Sequence, residues 1–327
     1  MKAIVITRPG GPEVLELRDV PDPVPGAEQV LVRVRATALN RADLLQRRGH
    51  YPAPPGAPAD IPGLELAGEV VALGPGARER AVGDRVYGIV GGGAHAELVV
   101  AHERALAPIP DGLEWAEAAA VPEAFITAHD ALRQAEARPG DSVLVHAVGS
   151  GVGLAAVQLA RAFGAVPFGT SRTADKVERA RALGLEDGAT IEGDLGAIAE
   201  RAQAWTGGAG VDVVLDLVGG DYTAASIPAM ARQGRLILIG TMGGIATSVD
   251  LRRILAWRLT IRGTVLRARP IEEKILVTRR FAAEVNPFLA RGALRPTIDS
   301  RFPLADAAAA HRRVEGNETF GKVVLEV

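Results

Sequence analysis

Residues 142–163, SVLVHAVGSGVGLAAVQLARAF, read as strand, glycine turn and helix in one unbroken run. The apolar stretch Ser142–Val148 passes through Gly149-Ser150-Gly151-Val152-Gly153, and helical periodicity follows at once over Val152–Phe163, with Gly164 placed to end it. A strand that turns through glycines into a helix presents bare backbone N–H groups at the helix N-terminus. A pyrophosphate can approach such a terminus closely only where side chains do not stand in the way. The last glycine also lets helix and strand pack tightly. The string alone would equally describe a flexible turn, so the flanking pattern carries the reading.

Downstream the rhythm repeats. Val166–Thr170 reads as a strand, Ala174–Leu183 as a helix closed by Gly184, Ala189–Ile191 as a weak strand, and Leu195–Thr206 as a helix. Val211–Leu217, a helix over Asp221–Arg232 ended by Gly234, and strands at Arg235–Gly240 and Leu259–Val265 complete the series. Strands alternating with helices in this way predict a doubly wound parallel sheet, a Rossmann domain of about six strands. At the end of its second strand, Gly169-Thr170-Ser171-Arg172 carries no carboxylate, and Asp175 falls inside the next helix. An NAD site usually has Asp or Glu there for the ribose hydroxyls. Ser171, Arg172 and Lys176 instead suit a 2′-phosphate, which points to NADPH; the same cations also suit a solvated surface.

Upstream the pattern is different. Lys2–Thr7, Gln29–Leu39, Glu69–Leu73, Asp84–Val90 and Ala94–Val100 read as short strands between Gly and Pro clusters, with one helix at Arg41–Arg48. Val30, Val32 and Val34 share one face by the period of two. This is a β-rich domain, not a wound sheet. After the Rossmann segment, Glu272–Ala290 reads as a helix and Thr319–Val327 as a strand that has no place in a finished wound sheet. That strand can return to the N-terminal domain, which gives the expected division: residues 1–122 and 266–327 as a β-rich domain and residues 123–265 as the Rossmann domain.

The chain has 327 residues, a net charge of −2 and no cysteine. That length predicts two domains. The absence of Cys removes disulfides, thiol nucleophiles and every thiolate metal site. Near-neutral charge argues against nucleic acid as a partner, and no apolar run is long enough for a membrane span. The start, MKAIVITRP, has no signal-peptide pattern, so the expected location is cytoplasmic. Of the 37 cationic residues only Lys2, Lys176, Lys274 and Lys322 are lysines.

Several segments together resemble the medium-chain dehydrogenase/reductase superfamily and, within it, the zinc-free zeta-crystallin-like NADPH:quinone oxidoreductases. They are Leu39-Asn40-Arg41-Ala42-Asp43 with Gly49-His50-Tyr51-Pro52, Pro62-Gly63-Leu64-Glu65 with Ala67-Gly68-Glu69-Val70, Glu123 to Ala128, His146 to Gly153, and Gly321-Lys322-Val323-Val324-Leu325. The resemblance spans essentially the whole chain. It implies a chaperonin-10-like catalytic domain built from both chain ends around the Rossmann domain, and a homodimer through the strand near Leu259–Val265. Asn40 and Leu64 stand where zinc-dependent relatives place a Cys and a His; Glu65 alone makes no metal site.

The resemblance places Asn40 and Tyr51 at the nicotinamide face. Asn40 would bond the coenzyme ribose or the acceptor oxygen, and Tyr51 would act as a proton donor or as an aromatic wall. Asp43 reads as structural. Thr127 would face the nicotinamide or cap a helix. Gly240 and Met242 after the fifth parallel strand, with Thr264 and Leu266 after the sixth, lie at carboxyl ends of strands, where such sheets bind ligands. Relatives often carry a tyrosine on the adenosine ribose, and Ile191 stands there instead. Arg267 and Arg269 either reach the substrate mouth or, as the preferred reading, are solvated at the surface. Without a Lewis acid, the easier reaction is hydride transfer from NADPH to a quinone or to an alkene conjugated to a carbonyl, including enoyl thioesters. A nucleotide-binding protein with an RNA-binding or structural role and a zinc alcohol dehydrogenase are the more distant readings.

Overall fold

The change of rhythm along the chain is a change of compact unit. In the computed structural model, which describes all 327 residues, Met1–Ile126 and Leu266–Val327 form the first unit and Thr127–Val265 the second.

The first unit begins with β1 (Lys2–Ile6), β2 (Leu15–Asp19), β3 (Gln29–Ala38), α1 (Arg41–Arg47), β4 (Glu65–Leu73), β5 (Arg85–Ile89), β6 (Leu98–His102), β7 (Leu106–Pro108) and α2 (Trp115–Ala119). One π-helical turn, Pro122–Ile126, then ends its first segment. The second unit runs through α3 (Thr127–Gln134), β8 (Ser142–Val145), α4 (Gly151–Ala162), β9 (Val166–Ser171), α5 (Ala174–Arg181), β10 (Asp187–Thr190) and α6 (Ala197–Trp205). It continues through β11 (Val211–Asp216), α7 (Asp221–Ser226), β12 (Met230–Leu238), α8 (Leu251–Trp257) and β13 (Thr260–Gly263). The chain then returns to the first unit with α9 (Ile271–Ala290), β14 (Ile298–Pro303), α10 (Ala307–Glu315) and β15 (Lys322–Glu326).

In the first unit the seven-stranded sheet runs β14-β15-β3-β4-β5-β7, with β6 also paired to β3. Alternation along β3 sends Val30, Val32 and Val34 into a core with Leu66, Val70, Val86 and Leu106. The C-terminal strand β15 has four consecutive buried residues and adds antiparallel to β3, pairing Val324 with Ala38. That pairing brings Lys322 to Leu39 and Asn40, across 282 residues of chain.

In the second unit the sheet order is β10-β9-β8-β11-β12-β13, parallel throughout. The order reverses beside β8, where a doubly wound sheet opens a crevice for ligand. Ile191, buried with Leu144, Phe168 and Val214, belongs to this core.

Three boundaries differ from those expected. The units change between Ile126 and Thr127, not at residue 122, because Pro122–Ile126 stays with the first unit; Glu123 N–H donates to Glu65 there. The helix expected to run to Arg232 stops at Ser226, and β12 starts at Met230. Met230 pairs with Val211, and a register shift then accommodates Gln233 at φ +62° before Arg235 pairs with Val213. Helix α8 was not legible, because none of its side chains is buried and no core-facing stripe marks it.

Candidate functional site

In the second unit the glycine run forms the turn that its spacing predicts. Ser150 caps α4, its Oγ accepting from Gly153 N–H at 3.1 Å, while the N–H groups of Gly151 and Val152 precede the first intrahelical bond, as those a helix N-terminus leaves for an anion do. A Cβ on Gly153 would lie 2.6 Å from Ala147 O, so the helix rests directly on the strand's end. A Cβ on Gly149 would meet Lys176 Cδ at 2.8 Å, so the lysine stem lies over the turn. Ser171 ends β9 with its Oγ 3.4 Å from Thr173 N, and Arg172 is exposed just beyond it. A glycine turn at a helix N-terminus that admits no Cβ at Gly153, with Lys176 over it and Arg172 exposed at the end of the next strand, fits a phosphorylated dinucleotide.

At the other carboxyl ends the outcome is mixed. Gly240 passes so close to Leu217 that a Cβ would lie 2.7 Å from its carbonyl oxygen, and Met242 is half-exposed. The Thr264 hydroxyl accepts from Gln134 Nε2 at 2.8 Å and its N–H donates to Leu238 O at 2.9 Å, so neither is open to a ligand. Leu266 is buried and belongs to the first unit, so its side chain is core. Thr127 opens α3 with a buried hydroxyl that has no partner; it does not cap the helix.

Sequence reasoning missed the polar cluster behind this turn. Asp216 Oδ1 accepts from Val218 and Gly219 N–H at 2.9 and 2.8 Å, its Oδ2 from Thr223 Oγ1 at 2.5 Å. His146 is fully buried between Thr170 Oγ1 (2.8 Å) and Ser226 Oγ (2.7 Å), its ring 5.2 Å from that of Tyr222. Burial lowers the His146 pKa to about 4, against the opposing pull of Asp216. The folded protein therefore binds fewer protons than the unfolded chain from about pH 6.5 down to that value. The stability this gives is full above the unfolded pKa and is lost as pH falls toward the folded one. Denaturant midpoints at about pH 7.5 and about pH 5 are expected to differ more for the wild type than for His146→Gln; equal differences would count against the assignment.

In the first unit, four side chains from three segments meet. Lys322 Nζ donates to Glu65 Oε1 at 2.7 Å, to Asn40 Oδ1 at 2.6 Å and to Leu39 O at 2.9 Å. Asn40 Nδ2 donates to Glu65 Oε1 at 2.8 Å, and Asp43 accepts from Asn40 N–H at 2.7 Å and Gly63 N–H at 3.0 Å. Asp43 is thus structural. Both Asn40 Nδ2 hydrogens are spoken for, the second by Ala38 O at 3.3 Å. Asn40 retains only an oxygen lone pair, so it can accept from a ligand hydroxyl but cannot donate to an acceptor oxygen.

Tyr51 is half-buried, with the Arg267 guanidinium 4.9 Å over its ring. Arg267 is not solvated as expected. It is 3% exposed and donates to Gly91 O at 2.8 Å, Gln46 Oε1 at 2.6 Å and Tyr51 O at 3.3 Å. Burial pushes the Tyr51 phenol above its ordinary value, outweighing Arg267. That supports the wall and weakens the acid.

Residues 26–111 match the alcohol dehydrogenase GroES-like domain, and residues 191–325 match the zinc-binding dehydrogenases. The chain is 38% identical to a quinone oxidoreductase of Pseudomonas aeruginosa, with 99% of each chain aligned. It is 32% identical to the quinone oxidoreductase of Homo sapiens, over 99% of this chain and 97% of that one. The chain belongs to the quinone oxidoreductase family. Among solved structures, the quinone oxidoreductase from Thermus thermophilus, determined alone and as its complex with NADPH, is 36% identical and superposes with a TM-score of 0.84, each chain covered in full.

Zinc, which one of these family descriptions names, does not fit this member of the quinone oxidoreductases. The chain has no Cys, Leu64 is apolar, and the Lys322 ammonium already sits on the Glu65 carboxylate. No group of three or more His, Asp or Glu side chains is placed to hold a metal. Lys322 was visible beforehand only as part of the Gly321–Leu325 resemblance. Glu123 was visible only as part of the Glu123–Ala128 resemblance and Arg267 mainly as a surface cation, because their importance comes from burial and from neighbours distant in sequence.

Proposed function

We propose that this chain is an NADPH-dependent oxidoreductase that reduces quinones by hydride transfer. The observation that carries the reading is the glycine turn at Gly149–Gly153 at the start of α4, overlain by Lys176 and followed by Arg172, in a full-length member of the quinone oxidoreductase family. The N–H groups of Gly151 and Val152 bind the pyrophosphate; Ser171, Arg172 and Lys176 bind the 2′-phosphate. Backbone groups near Gly240, Met242, Thr264 and Leu266 hold the carboxamide, and Thr127 offers its unpartnered hydroxyl at the same end. NADPH supplies the hydride, and the protein supplies position. Asn40, locked by Lys322 and Glu65, accepts a hydrogen bond from the coenzyme ribose, while Tyr51, clamped by Arg267, walls the acceptor.

Following NADPH consumption while titrating 1,4-benzoquinone, an enone and an enoyl thioester tests the reading. Rapid turnover of a quinone is expected; turnover only of an enone or enoyl thioester would overturn the substrate class. Arg172→Ala with Lys176→Ala is expected to raise KM for NADPH on the order of 100-fold, as two charge-assisted contacts are lost. KM for NADH should change little, and equal effects would remove the case for phosphate recognition. We further propose a homodimer through β13, whose sheet edge and neighbouring α8 leave Leu251 70%, Leu255 80% and Ile261 41% exposed. Sedimentation of Leu255→Glu as a monomer, with the wild type sedimenting as a dimer, is the corresponding check.

A further inference from the structure

Adding a hydride to a quinone leaves a hydroquinone monoanion, so one proton must still arrive. Tyr51 is a poor source, as its phenol is pushed further from neutrality by burial. Glu123 meets the need better. It lies in the π-helical turn Pro122–Ile126, a geometry common at functional sites. Its N–H is pinned to Glu65 Oε2 at 2.7 Å, which fixes the backbone that carries it. Its own Oε2 is buried without a hydrogen-bond partner, although the residue as a whole retains some exposure. An unmatched buried oxygen on a carboxyl group calls for a ligand or a proton.

The charged groups acting on Glu123 come from several segments of the first unit. Glu65 and Asp43 are the acids, while Lys322 and Arg267 are the cations, and Lys274 on α9 and Tyr51 also feel its charge. Burial first and Glu65 second push the Glu123 carboxyl up to about 8. It is thus mostly protonated at neutral pH, near the match between donor strength and working pH that general acid catalysis needs.

We propose that Glu123 is the proton donor to the acceptor oxygen, an inference that rests on the quinone-reductase reading. The hydride, which carries both electrons, comes from the reduced nicotinamide coenzyme, which leaves oxidised. The Glu123 carboxyl O–H breaks and a new O–H forms on the hydroquinone oxygen. The resulting Glu123 carboxylate lies in the field of Arg267 and Lys274, and water reprotonates it.

The test is Glu123→Gln, which keeps the shape and removes the proton. Turnover of 1,4-benzoquinone is expected to fall on the order of 100-fold. The loss of wild-type kcat as pH rises through about 8 should disappear in the variant, while NADPH affinity by fluorescence titration stays unchanged. Glu123→Asp should restore part of the rate. Independently of turnover, the infrared spectrum of the protein without ligands should show a protonated-carboxyl band that titrates near 8 and is missing in Glu123→Gln. An unchanged rate and pH profile, or a spectrum in which no such band is lost, would overturn the proposal. Failure of the substrate reading is seen separately, in the wild type. If that enzyme reduces only an enone, the same comparison on the enone, whose enolate also takes a proton, decides for or against Glu123.

Discussion

Lys322→Met is expected to destabilise the protein by about 3–5 kcal/mol, because it leaves the Glu65 carboxylate buried without its ion-pair partner. Glu65 is fully buried, and Lys322 Nζ lies 2.7 Å from its Oε1. Burial pushes the Glu65 carboxyl up, while Lys322, the Glu123 N–H and the Asn40 amide pull it back. Without the lysine, only the weaker contacts remain, and the folded-state pKa of Glu65 rises well above its unfolded value. Stability of the variant is then greatest at low pH, where the carboxyl is neutral, and is lost as pH rises. Denaturant melts should accordingly show a larger deficit at about pH 8 than at about pH 5. The double variant Glu65→Gln, Lys322→Met removes both charges and should recover most of the loss, since replacing a whole buried pair is often close to neutral. A double variant as unstable as the single one would show that packing, and not charge, sets the cost.

Gly153→Ala is expected to weaken NADPH binding on the order of 100-fold, the scale of loss that follows from displacing a binding element by about 1 Å. The new Cβ would lie 2.6 Å from Ala147 O and 2.9 Å from Val148 Cα, both backbone atoms that cannot swing away. Helix α4 must move off β8, carrying the Gly151 and Val152 N–H groups with it. Gly149→Ala is the contrast, because its Cβ would meet only the flexible stem of Lys176. That variant should bind NADPH much closer to wild type. Isothermal titration of both variants decides the matter, and similar losses would refute the strand-contact explanation.

The wound sheet was legible because its signals are local. Each strand and each helix carries its own periodicity, and Gly149, Gly151 and Gly153 mark their turn through the lack of side chains. The placement of Ser171 and Arg172 at the end of β9 and of Lys176 over that turn was legible for the same reason, being fixed in sequence distance from it. The exposed helix α8 and the bulged beginning of β12 were not, as neither presents a regular buried face. Thr264 and Leu266 were placed by strand ends alone, and their side chains turned out to serve packing and a bond to Gln134.

Composition and pattern therefore sufficed for two domains, a parallel sheet with a glycine turn at a helix N-terminus, and a chain without thiolate metal sites. The polar centre of the first unit is another matter. Asn40, Glu65, Glu123, Arg267 and Lys322 are scattered over 283 positions and share no motif. Only the antiparallel addition of β15 to β3, the π-helical turn at Pro122 and the bonds of Arg267 to Gly91, Gln46 and Tyr51 bring them together. Burial then converts ordinary surface residue types into an ion pair, a locked amide and a carboxyl that keeps its proton. Those properties belong to the surroundings, and the surroundings exist only once the chain has folded.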